Sequence, residues 1–301
     1  MQQESQAITI DGTEVSERVR GALRNCVATL DRAGVTPRLA TVRMADDGAS
    51  KTYVTMKRQA CAELGIESDH HEIDSGAPAA ALFDRIDRLN DDDTVDGILV
   101  QLPLPDHVDE REVFRRIRPE KDVDAFHPEN VGRLVAGEPR YRPCTPHGIQ
   151  KLLRAYDVDP AGKDAVVVGR SNVVGRPTAN LLLRRAPGGD ATVTVCHSRT
   201  QDLAAKTRTA DILIAAAGEP ELIDGEMLAE GVVVVDVGIN RVSATERGPR
   251  LVGDVDFESA KEKASAITPV PGGVGPMTVA MLLYNTVAAA SKRSGVAVDL
   301  P

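Results

Sequence analysis

The chain has 301 residues, 42% hydrophobic and 27% charged, with a formal net charge of −9 and no tryptophan. That supplies a core for one large or two ordinary domains, and the acidic balance without any Lys/Arg run argues against a nucleic-acid-binding face. The opening MQQESQAITI lacks a signal-peptide pattern, no apolar run reaches the ~18–20 residues of a membrane span, and no CxxC pair occurs, so a soluble cytoplasmic protein with buried free thiols is expected.

In chain order, helical periodicity is expected over Val15–Leu30, a strand over Leu39–Val42, and a helix over Ser50–Leu64. A strand at His71–Ile73, helices at Ala79–Asn90 and Glu110–Ile117, and the apolar strand Gly97–Leu102 complete the first half. The Pro-rich stretch Arg140–Pro146 reads as a domain crossing, followed by a helix over His147–Tyr156. Strands at Ala165–Val168, Thr192–Cys196, Ile212–Ala215 and Val232–Val237 alternate with helical patterns near Pro177–Arg185, Gln201–Thr207 and Met227–Ala229. PVPGGVGPM over Pro269–Met277 is neither helix nor regular strand, and a last helix runs over about Met277–Ser291. Short apolar strands separated by helices mark an α/β fold with parallel sheets covered on both faces.

The segment AVVVGRSNVVGRPTANLLL is a buried strand, a turn holding Gly169, Ser171 and Gly175, and a helix starting near Arg176–Pro177. Glycines permit close backbone approach, and a helix N-terminus offers unpaired N–H groups to a phosphate. This is the first βα turn of a Rossmann-like unit, or a structural turn of the same shape. The second strand, TVTVC, ends in His197, Ser198, Arg199 and Thr200 and carries no acid there. A carboxylate would repel a ribose 2′-phosphate, whereas Ser and Arg donate to it, so NADP is expected over NAD. The alternative is that Ser198–Thr200 only cap the next helix.

In the first half Tyr53 and Lys57 are i,i+4 neighbours on one helix face. They form an exposed pair or, if that face looks into a cleft, an active one. Gln101 closes an apolar strand, where ligands of parallel sheets sit, or merely closes a loop hydrogen bond. Asp122 and Asp124 lie on the Pro-flanked loop KDVDAFHP, where an Asp orders its own turn or accepts from a planar amino-heterocycle. The six histidines show no ligand spacing, and no metal is expected.

Taken in order, SKTYVTMK, GILVQLPLP, KDVDAFHP, CTP, GRSNVVGRP, VTVCHSRT, DVGIN, GDV and PVPGGVGPMT resemble the bifunctional methylenetetrahydrofolate dehydrogenase/methenyltetrahydrofolate cyclohydrolase family from about Ser50 to Leu283. The resemblance implies a two-domain α/β protein. An N-terminal folate-binding catalytic domain would span 1–144 plus 277–301. A Rossmann-like NAD(P)-binding domain would span 145–276, with the final helix packing back on the first domain. It implies a cytoplasmic homodimer of one-carbon metabolism, serving purine biosynthesis. That enzyme oxidises methylenetetrahydrofolate to methenyltetrahydrofolate with NADP, then hydrolyses the product to formyltetrahydrofolate.

By the same resemblance Lys57 is the catalytic lysine, Tyr53 the active-site tyrosine, Gln101 the glutamine beside the lysine, and Asp124 the aspartate that holds the pterin. Substrate contacts are implied at Tyr53, Val100, Gln101, Leu102, Asp124, Gly272, Gly273 and Pro276. Cofactor contacts are implied at Thr145, Gly169, Arg170, Ser171, Val174, Gly175, His197, Ser198, Arg199, Ala217, Gly238, Ile239 and Gly275. Two departures stand out: Ala125 where the family commonly has Gly, and Glu219 where Lys is common. Both bear on affinity more than on reaction type.

Overall fold

The structure, a computed structural model, describes residues 7–45, 48–242 and 250–301, the side chains of 48–53 excepted. The chain runs through β1 (Ile8–Thr9), α1 (Gly12–Arg32), β2 (Arg38–Arg43), α2 (Gly48–Leu64), β3 (Glu67–Glu72), α3 (Ala79–Asp91), β4 (Gly97–Gln101), α4 (Glu110–Arg116) and α5 (Pro128–Val135). It continues through α6 (Cys144–Ala155), β5 (Asp164–Val168), α7 (Gly175–Leu183), β6 (Thr192–Cys196), α8 (Leu203–Thr207), β7 (Ile212–Ala215) and β8 (Val233–Asp236). The antiparallel pair β9 (Asn240–Val242) and β10 (Arg250–Val252), then α9 (Phe257–Lys261), β11 (Ala266–Ile267) and α10 (Val274–Ser294) complete it. These elements form two compact units: Glu17–Cys144 with Val279–Pro301, and Thr145–Thr278 with the start of the chain through Ser16.

The first of these units carries a three-stranded parallel sheet in the order β3-β2-β4. Its apolar strands are the two that bury side chains: β2 is covered from Leu39 onward, and β4 from Gly97 to Val100. The edge strand β3 reads ESDHHE and stays half-exposed. A strand was expected at His71–Ile73, but pairing starts at Glu67, because an edge strand is held by its backbone and needs no apolar side chains. Helix α3 buries Leu82, Ile86 and Leu89, spaced i, i+4, i+7, into the same core as Val42, Met44, Ile98 and Val113. Helix α5 was not expected; Pro128 opens it, and His127 Nδ1 accepts from the Glu129 amide.

The final helix docks on this unit through specific polar contacts. Arg293 Nε donates to Asp96 at 2.6 Å, while the other Asp96 oxygen accepts the Arg38 amide at 2.9 Å. Lys292 Nζ donates to the Arg140 carbonyl at 2.7 Å. Helix α10 is long and apolar enough to cross a membrane by length and composition, contrary to the expectation that no segment reaches that length, but most of it is buried inside the protein.

The second unit holds a six-stranded sheet ordered β1-β11-β8-β7-β5-β6, parallel throughout. From β5 the chain moves out to β6, then crosses back to pair β7 on the other side of β5. The ends of β5 and β7 therefore form the topological switch point, where such sheets bind ligands. The strand over Val232–Val237 shortens to β8, and the helix near Met227–Ala229 is a single 3-10 turn at Gly225–Met227. Strands β1 and β11 are only two residues long and carry too little pattern to be seen in advance. They correct the domain boundary: Ile8 and Thr9 pair with Ala266 and Ile267, so the start of the chain belongs with the second unit rather than with the N-terminal domain.

Candidate active site

Lys57 sits on α2 and is only 8% exposed. Its Nζ donates to Gln101 Oε1 at 2.9 Å, and Gln101 Nε2 donates to the Leu102 carbonyl at 2.7 Å. The second bond fixes the amide orientation, so that its oxygen faces the lysine. Gln101 is the last residue of β4, at the carboxyl end of the parallel sheet; the Leu102–Pro103 peptide that follows is cis. Burial lowers the Lys57 pKa, against the opposing pull of Asp124 and of the Cys144 and Cys61 sulfurs. Burial also pushes the Cys61 thiol up to about 12 and the Cys144 thiol well above its ordinary value, so both remain protonated. Tyr53 lies outside the described side chains.

Asp124 reaches this group on a loop that runs beside β4. The Ile98 amide donates to the Lys121 carbonyl at 2.7 Å, and Ile98 bridges Asp122 in parallel register. A side chain at Gly97 would meet Val123 at 2.7 Å, so glycine is what lets the loop lie this close. Lys121 caps the end of α3, its Nζ donating to the carbonyls of Leu89, Asn90 and Asp92 at 3.0, 2.9 and 2.6 Å. Asp122 orders its own loop. Its Oδ2 accepts from the His127 amide at 2.7 Å and from Asn130 Nδ2 at 2.8 Å, and burial raises its pKa to about 6. Ala125 adopts φ 62, the left-handed region that favours glycine, which gives the family's common glycine there a backbone reason. Asp124 itself is raised by burial and lowered by Lys57 and by the Cys144 thiol. The structure thus gathers Lys57, Gln101 and Asp124, with Val100 buried in the adjoining strand, and adds Cys144, to which the CTP motif gives no individual role.

In the other unit the Gly169–Gly175 turn stands at the switch point. Gly169 has φ 130, and a Cβ there would lie 2.0 Å from the Ala216 carbonyl oxygen; a Cβ on Gly175 would lie 2.3 Å from the Gly169 oxygen. These glycines pack the turn against the chain's own backbone and bring α7 close to β5. Ser171 Oγ accepts from the Val174 and Gly175 amides at 3.1 and 3.3 Å, so its side chain caps α7, while Arg170 is exposed beside it. Thr145 Oγ1 shares a hydrogen bond with Thr278 Oγ1 at 2.9 Å.

After β6 the turn closes on itself. The His197 amide donates to Thr200 Oγ1 at 2.8 Å, and the Arg199 amide donates to His197 Nδ1 at 3.1 Å. The cap of α8 is Asp202, whose carboxylate accepts the Ala205 amide. Ser198 and Arg199 are therefore not spent on capping, and both side chains are exposed.

Two buried carboxylates, given no individual role by the sequence, organise the neighbouring strand ends. Asp254 Oδ2 accepts from the Ala217 and Gly218 amides at 2.6 and 2.8 Å, and its Oδ1 accepts from Asn240 Nδ2 at 2.9 Å. Asp236 Oδ1 accepts from the Gly238 and Asp254 amides, both at 2.9 Å, and its Oδ2 from the Val255 amide at 3.0 Å. Burial raises the Asp236 pKa to about 6. The amides of Ala217 and Gly238 are thus already satisfied within the protein, whereas Ile239 projects into solvent. Gly272, with φ 105, presents its carbonyl to the Gly12 and Thr13 amides at 2.9 and 3.2 Å. The glycine loop before Val274, Gly275 and Pro276, which open α10, is thereby anchored to the start of α1.

A parallel sheet with a glycine-lined switch-point turn in the second unit, and a buried lysine oriented by a glutamine in the first, define a dinucleotide-linked enzyme with its own proton-transfer group. Residues 10–124 match the family model described as tetrahydrofolate dehydrogenase/cyclohydrolase, catalytic domain, and residues 143–294 its NAD(P)-binding domain. Bifunctional protein FolD 2 of Haloarcula marismortui is 66% identical over 97% of this chain and 99% of its own, and the FolD protein of Haloquadratum walsbyi is 63% identical over 99% and 96%. Among solved structures, the Campylobacter jejuni FolD enzyme aligns with TM-score 0.90 at 49% identity, covering 95% of this chain and 99% of its own. The Trypanosoma brucei enzyme, complexed with NADP cofactor and inhibitor, aligns with TM-score 0.91 at 42% identity, covering 97% and 99%. The chain belongs to the tetrahydrofolate dehydrogenase/cyclohydrolase family. It carries both activities of that family, the dehydrogenase and the cyclohydrolase.

Proposed function

We propose that the chain oxidises methylenetetrahydrofolate to methenyltetrahydrofolate with NADP and hydrolyses the product to formyltetrahydrofolate, with Lys57 as the group that moves the proton. The buried Lys57–Gln101 hydrogen bond beside Asp124 carries this reading. Asp124 holds the pterin by accepting from its amino-heterocycle, and the carboxyl end of β4, from Val100 to Leu102, lines the ring. NADP supplies the hydride acceptor. Gly169, Arg170 and the start of α7 would hold its phosphates, while Ser198 and Arg199 would donate to the 2′-phosphate.

Hydride loss leaves a methenyl cation shared by two folate nitrogens, which water attacks. Neutral Lys57 Nζ takes one proton from that water and returns it to the leaving ring nitrogen as its bond to the one-carbon unit breaks; the adduct's remaining hydroxyl proton passes to solvent as the formyl C=O forms. Burial favours the neutral amine, and a cationic substrate alongside favours it further. Gln101 orients Nζ by accepting its hydrogen.

A cytoplasmic location is supported by four free, buried cysteines, which suit a reducing compartment. A homodimer is supported by β6, which ends the six-stranded sheet and leaves Val195 exposed, as Leu183 is at the end of α7. The test of the reaction is a spectrophotometric assay with methylenetetrahydrofolate and each dinucleotide, following methenyl formation and its decay. Methenyl that forms with NADP and decays to formyltetrahydrofolate is expected. Methenyl that accumulates at the uncatalysed decay rate would remove Lys57 from its role.

A further inference from the structure

We propose that Asn285, on the last helix, is a positioning residue that sets Asp124 for folate. The proposal rests on the reading of Asp124 as the pterin-holding group and goes one step behind it. Asn285 is fully buried, and its Nδ2 donates to the carbonyl of Val123 at 2.7 Å and to that of Arg142 at 2.9 Å. Val123 is the residue immediately before Asp124. The same amide nitrogen lies 3.7 Å from Cys144 Sγ, whose thiol donates to the same Val123 carbonyl at 3.5 Å.

One side-chain amide therefore ties together the Asp124 loop, the segment before α6 at Arg142 and the thiol that interacts with Asp124. The loop needs such a tether. Ala125 holds a left-handed conformation on the far side of Asp124, and residues kept there persist only where their surroundings over-determine them. Asp122, through His127 and Asn130, restrains one end of the loop; Asn285 holds the carbonyl of the residue just before the functional carboxylate. With the Asn285 bond gone, the Val123 carbonyl keeps only the weak thiol donor of Cys144, and the Val123–Asp124 peptide is held less tightly. A carboxylate moved in this way loses the fixed geometry that a planar heterocycle demands.

The experiment uses the full-length enzyme. Asn285→Leu keeps the side-chain shape and removes both donated bonds. The expected result is a methylenetetrahydrofolate KM raised about tenfold or more, while NADP affinity and the hydride-transfer kcat stay within about threefold of wild type. In an Asp124→Ala background the same change should add less than about twofold, because there is no carboxylate left to position. A retained hydride-transfer kcat, which needs both units, shows that the variant has folded. If Asn285→Leu does not fold, Asn285→Ser, which keeps one donor, is read the same way and is expected to lie between wild type and Asp124→Ala. An unchanged KM, or a loss as large in the Asp124→Ala background as in wild type, overturns the positioning role and leaves the Asp124 assignment standing. Unchanged KM in Asp124→Ala itself overturns both.

Discussion

A Cβ on Gly253 would lie 1.7 Å from Oδ2 of Asp236, so the carboxylate occupies the space of the missing side chain. Asp236 cannot step aside, because three backbone amides hold it. Gly253→Ala should therefore destabilise the second unit by about 2–4 kcal/mol through overpacking and broken buried hydrogen bonds. Thermal unfolding followed by circular dichroism should show a midpoint lowered by roughly 5–15 °C. A midpoint equal to wild type would mean that the Asp236 cradle is not rigid.

Lys57→Met should reduce cyclohydrolase activity by about 10²–10⁴-fold and hydride transfer far less. Equal losses in both steps would instead assign Lys57 to binding. The lowered Lys57 pKa also has a direction that can be read. The neutral amine accumulates as pH rises, so the cyclohydrolase rate climbs with pH and then levels. Asp124 holds that pKa up, so Asp124→Asn should shift the rising limb to lower pH, apart from its effect on folate affinity.

Asp122 predicts a pH-dependent stability. Its folded pKa is raised to about 6 from 3.8 by burial, so the folded state binds a proton that the unfolded chain has already released. The resulting stabilisation is complete below the unfolded value and disappears as pH rises through about 6. Wild-type stability relative to the non-titrating Asp122→Asn variant should fall by on the order of 2 kcal/mol between about pH 4 and pH 7. Urea midpoints of both proteins across that range check this; a constant difference contradicts it.

Arg199 is exposed and separated from the helix cap, which Asp202 provides. Arg199→Ala should cost about 10–100-fold in kcat/KM with NADP and under about threefold with NAD, because only the 2′-phosphate loses its charged donor. Parallel kinetics with the two dinucleotides decide this. Equal losses would place Arg199 away from that phosphate.

Much of this molecule was open to reading before any coordinates. The β-branched runs at Ala165–Val168 and Ile212–Ala215, the amphipathic spacing of Leu82, Ile86 and Leu89, and the glycine turn after Val168 are local patterns, governed by residues a few positions apart. They sufficed for the α/β class, and the ordered motif series sufficed for the family. What lay beyond reach depends on contacts between distant residues. Gln101 meets Lys57 across 44 positions, and Asn285 meets Val123 across 162. Strands β1 and β11 acquire their identity only by pairing with each other and with β8, and the polar edge strand β3 only by lying against β2. Burial is likewise a property of the folded whole. Lysine carries the same charge wherever it stands in the sequence, and only the packing around Lys57 removes the water that would keep it protonated.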